Sequence, residues 1–369
     1  MSQLDPIPLI DLKSQYADLR AEINGAISKA LDSMQLFLGP NVQQLEGDFA
    51  DFCGVKHAVG VGNGTEALSL SLRALDIGRG DEVITVSWTF MATIEAIAHV
   101  GATPVVVDID PQTYCMDPAW LAGAINHRTR AVIPVHVFGH PCNMDEIVDI
   151  CAPRRLKIIE DACQAHGAKW QGERVGGLGD AAAFSFYMSK NLAGYGDGGL
   201  VTTKSDEVAK RLRALRDHGQ AERGVFGEIG YNSRLDEIQA AILNVKFKRL
   251  KQWNEARRRV ADRYNELLAG LDLTLPVEAP GAEHVYHLYA LRTPKRDQIA
   301  AALQAAGIGF ATHYKAPPHT HPACDLWHLG QVNLPVTRQC AEEIIQLPMY
   351  PELTEEQIER VCEVVAKAL

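Results

Sequence analysis

The sequence predicts an α/β protein with a mostly parallel central sheet flanked by helices and a smaller C-terminal α+β domain. Three observations lead there. Short β-branched or apolar runs alternate with amphipathic stretches of about ten residues, the pattern of strands joined by crossover helices. Several of those runs are apolar at successive positions, as in strands covered on both faces. Charge density then rises after about residue 245, and Pro276 to Pro280 breaks the helical pattern. The expected division is a large domain over 1–245 and a small one over 246–369, which suits the length of 369 residues.

In chain order, apolar residues three and four apart predict helices over 15–32 and 42–53. His57 to Gly62 reads as a strand, Thr65 to Leu75 as a helix and Glu82 to Ser87 as a strand. A helix fits 91–100, and Pro104 to Asp108 fits a buried strand. Ala131 to Val137 and Lys157 to Glu160 repeat that strand pattern. A long helical pattern covers 236–268, and its basic runs Lys246–Lys251 and Arg257–Arg259 read as a solvated face. The end of the chain reads as strand, helix, loop and helix.

Composition narrows the function classes. Hydrophobic residues make up 47% and charged residues 22%, values of an ordinary globular chain rather than a disordered one. The net charge is −10 with no basic stripe, so nucleic acid is not an expected partner. Eight cysteines without a Cys-x-x-Cys pair fit a reduced, cytoplasmic protein. Neither a signal peptide nor a membrane span is expected. His313, His319, His321, Cys324 and His328 crowd one segment, but their spacing matches no closed zinc motif and prolines interrupt it, so no metal is expected.

Two places carry chemistry. Gly60-Val-Gly-Asn-Gly-Thr65 joins a strand to a helix start, where glycines let the backbone approach an anion and free N–H groups meet it. It is not a dinucleotide fingerprint: position 65 is Thr, and Asp81 and Glu82 precede the next strand instead of ending it. A plain tight turn is the alternative, and Glu66 must point away from any phosphate. The second place is a strand ending in Glu160-Asp161, followed by an aromatic strand and Lys190 in a glycine-rich turn. An acid at a strand's carboxyl end can stay ionised beside a cationic ring nitrogen, although a helix cap by Asp161 is also open. A lysine in a partly apolar turn can lose its proton and attack a carbonyl. An acid, an imine-forming lysine and a phosphate site are the parts that pyridoxal phosphate needs.

The motifs run along nearly the whole chain: Ile10-Asp-Leu-Lys, Leu38-Gly-Pro, Gly62-Asn-Gly-Thr-Glu-Ala-Leu68, Gly80-Asp-Glu-Val-Ile-Thr85 and Trp88-Thr-Phe. Val107-Asp-Ile-Asp-Pro111, Glu160-Asp-Ala-Cys-Gln-Ala-His-Gly167 and Ser185-Phe-Tyr-Met-Ser-Lys-Asn-Leu192 follow. Gly230 to Ala241, His313-Tyr314 and Leu347-Pro348 complete the set. In this order the chain resembles the pyridoxal-phosphate-dependent nucleotide-sugar aminotransferases of the DegT/StrS group, which have the aspartate-aminotransferase fold. The resemblance implies Lys190 as the Schiff-base lysine and proton carrier, and Asp161 as the acid on the pyridine nitrogen. It implies Gln164 near the ring hydroxyl, Trp88 stacked on the ring, and Gly64, Thr65 and Ser185 on the phosphate. Asn232 would reach the phosphate of a neighbouring subunit, which makes a homodimer the working unit. Arg234 is a candidate for a substrate carboxylate, with a structural salt bridge as its alternative, and His313 and Tyr314 fall where such proteins approach the sugar.

The same resemblance implies L-glutamate or glutamine as amino donor and a nucleotide-linked keto-sugar as acceptor. Tyr231-Asn-Ser-Arg-Leu-Asp-Glu is similar to members acting on 3-keto sugars; 4-keto members more often read Tyr-Asn-Tyr-Arg-Met there. Members with histidine at the lysine position are sugar dehydratases, so Lys190 favours transamination. A dehydratase and a non-catalytic sugar- or cofactor-sensing regulator are the competing readings.

Overall fold

Residues 5–369 are described in a computed structural model of the chain. The apolar runs become a seven-stranded sheet built from β1 (His57–Val61), β2 (Glu82–Val86), β3 (Thr103–Val107), β4 (Thr129–Ile133), β5 (Lys157–Asp161), β8 (Ala181–Ser185) and β9 (Gly199–Thr203). Two short strands, β6 (Lys169–Trp170) and β7 (Glu173–Arg174), lie between β5 and β8 in the chain. The spatial order is β1-β9-β8-β5-β4-β2-β3. Five strands from β8 to β3 run parallel, and β9 runs against both its neighbours. Side chains alternate across the sheet: Ile84, Val86, Val132 and Ile158 enter one apolar core, while Val83, Ala131, Ile133 and Ile159 enter another. Both faces are covered, which is why these strands read as continuous apolar runs.

Helices α1 (Leu12–Ser33), α2 (Pro40–Cys53), α3 (Gly64–Ala74), α4 (Ala92–His99), α5 (Pro118–Ala124), α6 (Met144–Cys151) and α7 (Asp206–Leu215) supply the layers. Their starts follow local chemistry. Asp11 caps α1 by accepting from the N–H groups of Lys13 and Ser14, and Pro40 opens α2 where no donor is needed. Gly54 ends α2 with φ of +66°. A hairpin of β10 (Gln220–Glu222) and β11 (Val225–Phe226) projects beyond α7, with both apolar residues of β11 exposed.

The long pattern over 236–268 is two helices, α8 (Glu237–Phe247) and α9 (Leu250–Leu267). No glycine or proline marks the break, and what changes across it is the packing partner. α8 is enclosed by α1 and α2, whereas Val260, Ala261 and Tyr264 of α9 join the C-terminal core. The expected solvated basic face is correct for Lys248, Arg249, Lys251 and Arg259, but Lys246 and Arg257 are buried.

The C-terminal part pairs β13 (Tyr289–Arg292) with β14 (Ile344–Leu347) in an antiparallel ribbon, after a short β12 (Ala282–Glu283) that joins β6. Helices α10 (Arg296–Ala305), α11 (Pro335–Glu343) and α12 (Glu355–Lys367) complete it, the last opened by a reciprocal Thr354–Gln357 cap. Among the described residues, no helix is long and apolar enough to cross a membrane.

Candidate active site

The strand β5 ends in two carboxylates that alternation sends to opposite faces. Glu160 is fully buried and accepts from the N–H groups of Gly176, Leu178 and Gly179 at 2.8–2.9 Å and pairs with His136 Nε2 at 3.1 Å. Three of its four donors are backbone N–H groups of one loop, so its role is to hold the loop before β8. Asp161 faces the other way. Its Oδ2 accepts from Thr93 Oγ1 at 2.8 Å, and Oδ1 accepts from the Cys163 N–H at 3.3 Å. Thr89 Oγ1 lies 2.7 Å from Thr93 Oγ1, so a two-hydroxyl chain braces the carboxylate. The helix-cap reading of Asp161 does not apply, because no helix follows it.

Gln164, on the loop after β5, bridges two walls. Its Oε1 accepts from the Phe138 N–H at 2.7 Å, and its Nε2 donates to the Tyr314 hydroxyl at 2.9 Å. Tyr314 stacks on Phe138 with ring centroids 6.5 Å apart and meets Trp88 edge-on at 5.9 Å. Trp88, just past β2, is fully buried. Burial raises the Tyr314 hydroxyl pKa, with the Gln164 hydrogen bond pulling against it, so the phenol stays protonated at neutral pH.

The glycine loop closes the opposite side. Asn63 caps α3 through the Glu66 N–H, leaving the N–H groups of Gly64 and Thr65 without intrahelical partners. A Cβ on Gly64 would sit 2.7 Å from Ser185 Cβ and 3.1 Å from Cys163 Sγ. Only glycine brings the helix start this close to β8. Glu66 turns back to accept from Ser233 Oγ, away from Ser185, as the anion reading requires.

Lys190 stands in the turn between β8 and β9, half-buried, and among the described residues its ammonium makes no ion pair. Burial lowers its pKa, opposed by the neighbouring Cys163 and Asp161 side chains. The rings around it are neutral. Burial and Lys190 push His166 down to about 3, and burial holds His287 well below its usual value. At His313, partial desolvation of the ring and then the nearby Lys190 lower the pKa.

Lys190, Asp161, Gln164, Trp88, Ser185, Gly64, Thr65 and Tyr314 therefore meet at the carboxyl ends of β2, β5 and β8, with His313 at the rim. Two expected residues stand apart. Asn232 is exposed and its backbone bridges Asp217. Arg234 pairs with Asp217 at 3.3 Å and lies over the Phe37 ring at 4.3 Å, so its ion-pair alternative is the one seen in the single chain. Of the crowded histidines, His319 bonds Ser87 Oγ at 2.7 Å, and Cys324 packs in an apolar cluster. Sequence reasoning did not single out Thr93, Phe138 or Asn254. Only their long-range partners give them a role, and nothing in their own segments marks them.

The residues present fit pyridoxal phosphate: a glycine that a Cβ would destroy beside two free helix N–H groups, a braced carboxylate, and an unpaired lysine of lowered basicity. Residues 17–366 match the DegT/DnrJ/EryC1/StrS aminotransferase family. The chain belongs to this family. It is 45% identical over 369 residues, the full length of both, to the UDP-N-acetyl-3-dehydro-alpha-D-glucosamine 3-aminotransferase of Acidithiobacillus ferrooxidans. It superposes with a TM-score of 0.96 on DesV of S. venezuelae solved with a ketimine intermediate, at 43% identity over 99% of this chain and 98% of that one. A putative sugar aminotransferase of Streptococcus pneumoniae, solved in its pyridoxal-phosphate form, gives a TM-score of 0.90 at 27% identity over 99% and 98% of the two chains.

Proposed function

We propose that this chain is a pyridoxal-phosphate-dependent aminotransferase that moves an amino group from L-glutamate or glutamine to the 3-keto group of a nucleotide-diphosphate sugar. The observation that carries the reading is an unpaired, half-buried Lys190 beside Asp161 and Cys163, with the Asp161 carboxylate braced by Thr93 and Cys163 packed against the helix start at Gly64. Bound there, the cofactor supplies an aldehyde that takes up the donor's nitrogen and a ring that accepts electrons. Gly64, Thr65 and Ser185 would hold its phosphate, Asp161 its ring nitrogen, and Trp88 and Gln164 the rest of the ring.

The chain's own groups then do the following. Lys190 Nζ, kept poorly basic by burial, takes a proton from the donor's carbon and returns it elsewhere. Thr93 holds the Asp161 carboxylate in place through its hydroxyl. Trp88, Phe138 and Tyr314 exclude water from one wall. His313 and Tyr314 would meet the sugar at the rim. The 3-keto preference rests on the Tyr231–Glu237 wording and on the name of the Acidithiobacillus relative.

A homodimer is the working unit in this reading. Phe37, Val225, Phe226 and Ile229 expose half or more of their surfaces, as at an unsatisfied protein interface. Asn232, exposed in the single chain, would reach a partner's phosphate site, and Arg234 would contact a substrate carboxylate by leaving Asp217. The boundary near 245 is supported by the switch of packing partners from α8 to α9. Eight free cysteines suit the cytoplasm.

The test is an absorption spectrum of the cofactor-loaded protein before and after L-glutamate. The visible band should bleach, and a 3-keto-sugar nucleotide should restore it. A band that ignores both glutamate and glutamine would move the assignment to another pyridoxal-phosphate reaction, and absence of any band would remove Lys190 from its role. An amine at C4 in the product, seen by NMR, would overturn the C3 preference.

A further inference from the structure

Asn191 follows Lys190 directly and is 3% exposed. Its Nδ2 donates to the Val285 carbonyl at 3.0 Å and to Asn254 Oδ1 at 3.0 Å. Asn254 is 8% exposed, on the first turn and a half of α9. Its own Nδ2 donates to the His166 carbonyl at 2.8 Å. The Val285 carbonyl fixes which end of Asn191 is the donor, and the His166 carbonyl fixes the same for Asn254, so the chain of bonds reads one way only.

His166 lies on the segment that leaves Asp161 and Gln164. Asn254 thus cross-links the two segments whose side chains must meet. The approach is tight: a Cβ on Gly167, which has φ of +89°, would sit 3.1 Å from Asn254 Nδ2. The helix that carries Asn254 is itself held on both sides. Trp253 packs with Leu19, Ile23 and Ile242. Arg257, one turn later, donates to the carbonyls of Tyr286, His287 and Met349.

We propose that Asn254 is a positioning residue of the reaction, which ties the turn carrying Lys190 to the segment following Asp161 and anchors both to α9. The proposal rests on the aminotransferase reading above. It makes the distance between lysine and carboxylate a property of a third element, one that also grips the C-terminal part. An error of about 1 Å in such a constellation lowers turnover by about 100-fold, whereas an amide remote from the reacting atoms would otherwise be expected to affect stability alone.

The test uses the cofactor-loaded protein for rates and the cofactor-free protein for the lysine itself. Asn254→Ala should slow the glutamate half-reaction by about 10- to 100-fold, with the KM for glutamate changed less than about 3-fold. In cofactor-free protein, the pH midpoint for labelling Lys190 with an amine-reactive reagent, read by peptide mass spectrometry, should move up toward that of a free lysine as the turn relaxes into water. Asn191→Ala attacks the same link from the turn and covers the case in which the α9 variant does not fold. The double variant should lose less than the product of the two single losses, because the Asn191–Asn254 bond is already broken in each single variant. A wild-type rate and labelling midpoint in both single variants would overturn the proposal, even if their melting temperatures fall, and so would multiplicative losses in the double variant. If wild-type protein itself ignores glutamate, the functional reading fails first; if it reacts and the variants match it, only this inference fails.

Discussion

Two lysines of this chain are withdrawn from water, and their surroundings could hardly differ more. Lys246, on α8, is fully buried, with its ammonium over the Tyr195 ring at 4.6 Å and no hydrogen-bond partner. Burial brings it from 10.5 down to about 7, with Glu352 pulling weakly the other way. Lys190 is less enclosed and its pKa is lowered too, yet it lies beside Asp161 and Cys163, the latter packed against the start of α3. Low basicity is therefore common to the lysine proposed to carry the reaction and to one that fills space. What separates them is the company: a braced carboxyl group and a thiol beside one, an aromatic face beside the other.

Removing each lysine is the sharpest way to break this comparison. Lys190→Ala should lower the glutamate half-reaction by about 10⁴-fold or more, since both a nucleophile and a proton carrier are lost; stopped-flow absorbance gives the rate. Next in size, Asp161→Asn should lower the same rate by about 100- to 1,000-fold, with the fold intact by circular dichroism. A variant within a factor of three of wild type would strip Asp161 of its part.

Lys246→Met should act in the opposite sense, on stability and not on rate. A lysine held near 7 instead of 10.5 is penalised in the folded state, fully below about pH 7, and the penalty fades as pH rises from 7 to 10.5. At about 1.4 kcal/mol per pH unit the ceiling is about 5 kcal/mol, and relaxation around the charge should leave a gain of about 2–4 kcal/mol at pH 7. Denaturant unfolding at pH 7 and pH 9.5 reads it: the methionine variant should gain most at the lower pH. Equal gains at both pH values would mean that Lys246 is not held neutral. The smallest effect is expected from Tyr314→Phe, which deletes one hydrogen bond to Gln164. One such bond is worth about 1 kcal/mol, so turnover should fall about fivefold.

The contrast also explains what could be read in advance. Lys190 and Asp161 were legible because each ends a strand-like apolar run and is followed by small or turn residues. Lys246 was grouped with Lys248 and Arg249 as a solvated run, although its neighbours Ala240 to Val245 are buried all round α8, the mark of an enclosed helix. The break between α8 and α9 left no trace, because it answers to a change of packing partner and not to a breaker residue. Six of the seven sheet strands were readable from apolar runs; β9, which lies between β1 and β8, was not singled out. Thr93 bracing Asp161 and Asn254 bridging His166 and Asn191 were not, because their partners lie far away in the chain.

The pair of acids at the end of β5 has one more consequence. Side chains alternate along a strand, so a slip of one residue would exchange the faces of Glu160 and Asp161. Aspartate is one methylene shorter than glutamate and would fall short of the N–H groups of Gly176, Leu178 and Gly179 that Glu160 now meets. The longer acid would then press on Thr93 and the floor of the site. Each wrong fit is a penalty on the same misalignment, so the two neighbouring carboxylates act together as a proofreading device for the threading of the central strand.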